Sequence, residues 1–137
     1  MKKKIKFLSK IENINIVEKL IDEISVQENL SSEIYGNLLV SMVESVNNAI
    51  IHGNKLDESK EVIINYGLSD GYFWFDVKDQ GNGFNFKNLP DPTLPENLEK
   101  PHGRGIFLIS HLVDKIEFKE KGTKVCLKIK IKTNHLN

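Results

Sequence analysis

ESVNNAIIHG, residues 44–53, sets one carboxylate and two carboxamides into a helical stretch whose other positions are largely apolar. Glu44 and Asn48 are four residues apart, hence on one helix face, among Val46, Ala49 and Ile50. An apolar helix ordinarily spends its polar residues on the wet side, so polar groups inside the apolar stripe point towards a cleft. An Asn there can give an uncharged oxygen to Mg²⁺ while phosphate oxygens and waters complete the octahedral shell. A nearby carboxylate can orient or deprotonate a water or an incoming hydroxyl. On this helix alone, Glu44, Asn47, Asn48 and His52 also read as a solvated polar stripe.

Two glycine-rich segments follow. DQGNG (79–83) puts Asp79 at a strand end before Gly81 and Gly83, which permit tight turns and the close approach of a flat ligand. A buried, ionised Asp suits an exocyclic amine such as that of adenine. The bland alternative is an ordinary Asp-Gly turn. In HGRG (102–105), Gly103 and Gly105 flank Arg104 directly before an apolar stretch. Helix-start amides with an Arg fork make a phosphate site, whereas a glycine turn with a surface Arg is the plain reading. Arg104 is the sole arginine among 19 basic residues, which gives its placement weight.

The flanking pattern supplies the fold. Residues 4–8 suit a short strand, and Asn13 can cap a helix with apolar positions Ile16, Val17, Leu20, Ile21 and Ile24. Ser31 or Ser32 opens a longer helix, with Ile34, Leu38, Leu39, Met42, Val46, Ala49 and Ile50 as its stripe and Gly53-Asn54 as its stop. From Glu61 the period changes to two: VIINYG and YFWFDVKD are strands joined at Asp70-Gly71. Alternation then puts Phe73, Phe75, Val77 and Asp79 on one face. Residues 84–102 have no sustained period and read as a long loop, a mobile cover with one helical turn near Pro95–Leu98. Gly105–Val113 is expected to be a short helix leading to strand KIEFKE, a Lys121-Gly122 turn and strand TKVCLKIKI. In that last strand Val125, Leu127, Ile129 and Ile131 alternate with lysines, and Cys126 falls on the lysine side. The sum is an α+β two-layer sandwich: a mainly antiparallel sheet with helices on one face.

At 137 residues the chain fits a single domain, 1–137, able to bury a core without disulfides or metals. Nineteen basic residues against nineteen acidic give no global reason to expect nucleic acid or an anionic membrane. A lone cysteine excludes a disulfide framework, and no apolar run approaches the roughly 18 residues of a membrane helix. The start MKKKIKF lacks the apolar core of a signal peptide, so a cytoplasmic protein is expected. The final KTNHLN (132–137) reads as a frayed tail. There is no GxxxxGK[ST] loop, no third glycine of a dinucleotide fingerprint and no HExxH among the histidines. Neither Ser41 nor Ser45 lies in a GxSxG elbow.

Taken together, ExxxNAxxHG (Glu44, Asn48, Ala49, His52, Gly53), DxGxG (Asp79, Gly81, Gly83) and GRGIFLI (103–109) resemble the histidine-kinase-like (GHKL) ATPase superfamily. The short length and PDPTLPEN (90–97) resemble its anti-sigma-factor serine kinases, the RsbW and SpoIIAB type. The resemblance runs from about residue 5 to 131 and implies the Bergerat ATP-binding form of the sandwich. It implies Glu44 as general base, Asn48 as Mg²⁺ ligand, Asp79 as partner of the adenine amino group, and Gly81 and Gly83 as shapers of its pocket. Gly103, Arg104 and Gly105 would hold the distal phosphates of ATP beneath an ATP lid of residues 84–102, and Thr123 would add a hydrogen bond near the base. Asn47 and His52 would give outer support. His102 departs from the small residue more common before GRG.

In that family the γ-phosphate of Mg-ATP passes to a serine of a STAS-domain anti-anti-sigma protein, which leaves the kinase free to hold a sigma factor; a homodimer is common. The resemblance thus implies a protein serine/threonine kinase and anti-sigma factor. The alternative is a non-kinase, ATP-dependent interaction module that regulates a phosphatase or another signalling partner.

Overall fold

A computed structural model of the chain describes residues 2–83 and 101–131, with the backbone alone for residues 101–104. Strand β1 (Lys2–Leu8) leads through a 3₁₀ turn to helix α1 (Ile14–Gln27) and then helix α2 (Ser32–Asn48). Strands β2 (Glu61–Ser69) and β3 (Tyr72–Lys78) follow, then helix α3 (Pro101–Leu112) and strands β4 (Lys115–Lys119) and β5 (Lys124–Lys130). The sheet runs β1-β2-β3-β5-β4 with every neighbouring pair antiparallel. This is the α+β Bergerat-type sandwich that the sequence predicts.

Cross-strand register explains which side is buried. Ile64, Val77 and Val125 are directly opposed, as are Tyr66, Phe75 and Leu127, so one face presents a continuous apolar surface. Against it pack Val17, Ile21 and Ile24 of α1, Leu38, Met42 and Val46 of α2, and Ile109 of α3, in one hydrophobic cluster. Phe75 is fully buried, a contribution of about 1.5–3 kcal/mol for a side chain of its kind. The β2–β3 hairpin closes through Asp70 (φ 54°) and Gly71 (φ 82°), the left-handed pair that a two-residue turn requires.

Local chemistry sets the helix ends, with some departures from expectation. Ser31 caps α2, its Oγ accepting from the Ile34 amide at 3.2 Å. Asn13 stands at the N-cap of α1 but makes no capping bond; its Nδ2 donates instead to the Leu8 carbonyl at 2.7 Å, tying the helix start to the end of β1. Ile16, expected in the buried stripe, is 43% exposed because the core-facing row is Val17, Ile21 and Ile24. Helix α3 begins at Pro101, four residues before the expected start, so HGRG forms its first turn rather than a loop before it. Pro101 loses nothing there, since the first helical residue needs no intrahelical N–H bond. The Lys121-Gly122 turn is a 3₁₀ turn (Glu120–Gly122) with all three residues at positive φ. Of the cover predicted over 84–102, residues 101–102 belong to α3 instead; the rest, with its helical turn near Pro95–Leu98, and the 132–137 tail lie outside the described residues.

The stretch 44–53 divides. Regular α-helix ends at Asn48, and Ala49–Gly53 form a π-helical turn. Its wider ring is visible in the Asn54 amide, which donates to the Ala49 carbonyl five residues back at 2.8 Å.

Candidate functional site

The C-terminal end of α2, its π turn, the exit of β3 and the β4–β5 connection surround an open cleft. It is lined by Asn48 and His52 from α2 and its π turn, Asp79 and Gly83 after β3, Phe118 and Thr123 around the β4–β5 connection, and Ile106 and Ile109 of α3. The apolar floor includes Ala49, Val77 and Val125. An apolar slot with a few fixed polar groups suits a flat heteroaromatic ring carrying one or two hydrogen-bonding edges.

Asp79 arrives here because β3 alternates. It continues the buried face of Phe73, Phe75 and Val77 one step past the strand and is 9% exposed. Its Oδ1 accepts from the Gly81 amide at 2.8 Å, while Oδ2 has no donor among the described residues. Burial raises the Asp79 pKa above the ordinary carboxylate value, outweighing the Gly81 hydrogen bond and the fields of Lys60 and Lys78. The free acceptor, on a carboxylate held at the cleft, fits a ligand amine.

Close contacts fix that carboxylate. A Cβ on Gly81 would lie 2.0 Å from the Gly53 carbonyl oxygen, so two of the motif glycines allow the π turn and the DQGNG segment to touch. Gly83 takes φ +79° and would bring a Cβ within 2.0 Å of the Lys121 carbonyl, a double requirement for glycine. The Asp79 amide donates to the Thr123 carbonyl at 2.9 Å, and the Thr123 hydroxyl donates to the Glu120 carbonyl at 2.8 Å. Thr123 thus stands in the cleft wall with its hydroxyl proton already committed.

Asn48 also lines the cleft. Among the described residues nothing hydrogen-bonds its carboxamide, and Gly105 of α3 approaches it so closely that a Cβ there would lie 2.8 Å from Nδ2. No group of three or more His, Cys, Asp or Glu side chains that could hold a metal occurs among the described residues. The Asn48 carboxamide oxygen could serve a Mg²⁺ whose other ligands come from phosphate and water, a donor set of the hard, oxygen-only kind that Mg²⁺ takes. Glu44 lies one helical turn before Asn48, half-buried, and is not among the residues lining the cleft. Gly103 and Arg104 lie in the first turn of α3, whose backbone alone is described there.

Sequence reasoning treated Asn54 only as a helix stop. In the fold it is 1% exposed and joins three segments. Its Nδ2 donates to Ser9 Oγ at 2.5 Å and to the Glu61 carbonyl at 3.0 Å, and its Oδ1 accepts from the Gln80 amide at 2.7 Å. Gln80 replies through Oε1, which accepts from the Glu61 amide at 2.7 Å. Asn54 thereby anchors the residue next to Asp79. His52 lines the cleft, and burial lowers its pKa, favouring the neutral ring. Ser45, also in the wall, turns its hydroxyl to the Ser41 carbonyl at 2.7 Å.

The comparisons with known proteins agree with this geometry. A family model described as "Histidine kinase-like ATPase domain" matches residues 7–129. The anti-sigma F factor of Clostridium perfringens is 32% identical over 139 aligned positions, covering 96% of this chain and 98% of the relative. The serine-protein kinase RsbW of Oceanobacillus iheyensis is 25% identical, covering 80% of this chain and 73% of that protein. A crystal structure of the RsbU and RsbW domains of a Mycobacterium tuberculosis protein superposes with a TM-score of 0.68 at 15% identity; it shares the fold, covering 96% of this chain and 32% of its own. No helix among the described residues is long and apolar enough to cross a membrane. The cleft, its Asn48 and Asp79 walls and the match across nearly the whole length lead to one conclusion: the chain belongs to the histidine kinase-like ATPase family, in the branch related to the RsbW and anti-sigma-factor kinases.

Proposed function

We propose that this chain is a Mg-ATP-dependent protein serine/threonine kinase that phosphorylates a STAS-domain anti-anti-sigma protein and, when that partner is phosphorylated, holds a sigma factor. The observation that carries the reading is the meeting of Asp79 and Asn48 in one cleft, in a chain that aligns end to end with an anti-sigma F factor.

In this reading Asp79 accepts the adenine amino proton on its free oxygen, and the apolar floor covers the ring faces. Gly81 and Gly83 keep the pocket open, and Thr123 adds a hydrogen-bond acceptor beside the base. Asn48 holds the metal. When bound, Mg²⁺ neutralises charge on the phosphates. Gly103, Arg104 and Gly105, in the first turn of α3, would hold the distal phosphates, as helix-start amides and an arginine can. Glu44 accepts the proton of the substrate serine as its oxygen bonds to the γ-phosphorus. The bond from that phosphorus to the β,γ-bridging oxygen breaks, and ADP leaves. Glu44 stands outside the cleft walls, which suits a base that meets a hydroxyl brought by a protein. A homodimer belongs to the same proposal.

Radiolabelled ATP with Mg²⁺ and a STAS-domain protein encoded beside this gene gives the test. Phosphoserine on the partner, lost in Glu44→Gln with ATP binding retained, is the expected result. Tight ATP binding without transfer to any STAS partner of the host would instead assign the chain to ATP-dependent regulation of a phosphatase or another signalling protein.

A further inference from the structure

The face of the sheet turned away from the helices carries a charge pattern that the cleft does not use. Register aligns Lys2, Gly67, Trp74, Lys128 and Lys115 in one row across the strands. Lys6, Ile63, Lys78, Lys124 and Lys119 form another. Between them, about 7 Å from each along the strands, run Lys4, Asn65, Asp76, Cys126 and Glu117. Lys130, opposite Tyr72, extends the pattern at one end and Glu61, opposite Leu8, at the other. Nine lysines therefore face three carboxylates in a chain whose formal net charge is zero.

Little of that charge is neutralised by the described residues. Among the described residues, Lys124 pairs with Asp76 at 3.7 Å and Lys78 with Glu120 at 3.0 Å, while the other seven lysines make no ion pair. The helical side carries exposed carboxylates of its own, with Glu18, Asp22 and Glu23 on α1. Two copies meeting through this face would set lysine rows against lysine rows. Phosphate is poorly served, since no arginine stands on the face to grip it with two bonds. A folded acidic protein avoids both conflicts, because its carboxylates can lie over the outer rows and leave the central one uncrowded.

We propose that the open face of the sheet docks an acidic protein surface, the two outer lysine rows pairing with its carboxylates. Trp74 is the chain's one tryptophan and sits within a lysine row, so its emission reports directly on occupancy. Short poly-L-glutamate, oligo-dT and phosphatidylglycerol vesicles serve as probes of the three anion classes. At about 50 mM salt the polyglutamate is expected to shift Trp74 emission, with affinity falling about ten-fold by about 200 mM. The double variant Lys6→Glu, Lys128→Glu should weaken that binding by at least about ten-fold, leaving ATP affinity and melting unchanged, while Lys19→Glu on α1 has little effect. Silence of Trp74 towards polyglutamate, or indifference to the double reversal, would overturn the proposal. Tighter binding of oligo-dT or of the vesicles would overturn it in favour of nucleic acid or lipid.

Discussion

Gly53 lies against the Asp79 carboxylate so closely that a Cβ at residue 53 would sit 2.3 Å from both Cγ and Oδ2. The end of the α2 π turn therefore sets the position of the group that closes the cleft. A methyl at residue 53 cannot be added without moving either that carboxylate or the turn, and each movement acts on a different observable.

Gly53→Ala should weaken ATP binding by at least about ten-fold, an overpacking cost of about 1–3 kcal/mol that falls on Asp79. Calorimetric titration of ATP into wild type and variant checks it. Equal affinities would mean that Asp79 does not touch the ligand.

Asp79 should trade stability for function. Its folded-state pKa is raised by burial, so between its unfolded and folded pKa values the native state binds more protons, and stability falls as pH rises through that window. Above the folded pKa the ionised carboxylate carries the full penalty. Asp79→Asn should therefore melt higher than wild type at neutral pH, bind ATP more weakly, and lose its thermal advantage as the pH is lowered into the carboxylate range. Melting curves across pH, paired with ATP titrations, decide it; a variant less stable at neutral pH would contradict the burial argument.

Asn54→Ala removes three hydrogen bonds at once and leaves the buried Ser9 hydroxyl and the half-buried Gln80 amide and Glu61 carbonyl short of a partner. A loss of about 1–3 kcal/mol in unfolding free energy is expected for each polar group stranded. Because Gln80 follows Asp79, ATP affinity should also fall under conditions where the variant is still folded. Chemical denaturation and ATP titration read the two effects separately.

Gly105→Ala is expected to split stability from metal dependence. Alanine favours a helix interior over glycine by about 1 kcal/mol, which offsets the crowding at Asn48 Nδ2, 2.8 Å from the new Cβ. Melting should change little, while the gain in ATP affinity on adding Mg²⁺ should shrink about ten-fold as Asn48 is displaced. Titrations with ATP in Mg²⁺ and in EDTA check this; an unchanged Mg²⁺ effect would remove Asn48 from the metal.

Much of this was legible in the sequence. Alternation in YFWFDVKD put Asp79 on the same face as Phe73, Phe75 and Val77, because a strand's period of two carries past its last hydrogen bond. The spacing of Glu44 and Asn48 gave a shared helix face, but it could not say that Asn48 would line the cleft and Glu44 would not. That depends on how α3 crosses α2 at Gly105, a tertiary contact without a local signature. The π turn at Ala49–Gly53 was equally invisible, since Ala49 to His52 suit an α-helix as well and the partners that hold Asn54 after it are distant in sequence. The early start of α3 was hidden by glycines that ordinarily mark turns.

The pairing of β3 with β5 has a consequence for how the molecule assembles. β1, β2 and β3 adjoin in the sheet, and β2 and β3 are joined by a two-residue turn, whereas Tyr72 must find Lys130 and Val77 must find Val125 across a long intervening chain. Closing so large a loop costs entropy before its contacts repay it, so this pairing favours a late step in folding. Asp79 comes from the first half and Thr123 from the second, and the bond between their backbones spans the closure. An incomplete chain or a partly folded intermediate thus has no nucleotide pocket, and ligand added during refolding can select only molecules that have already finished.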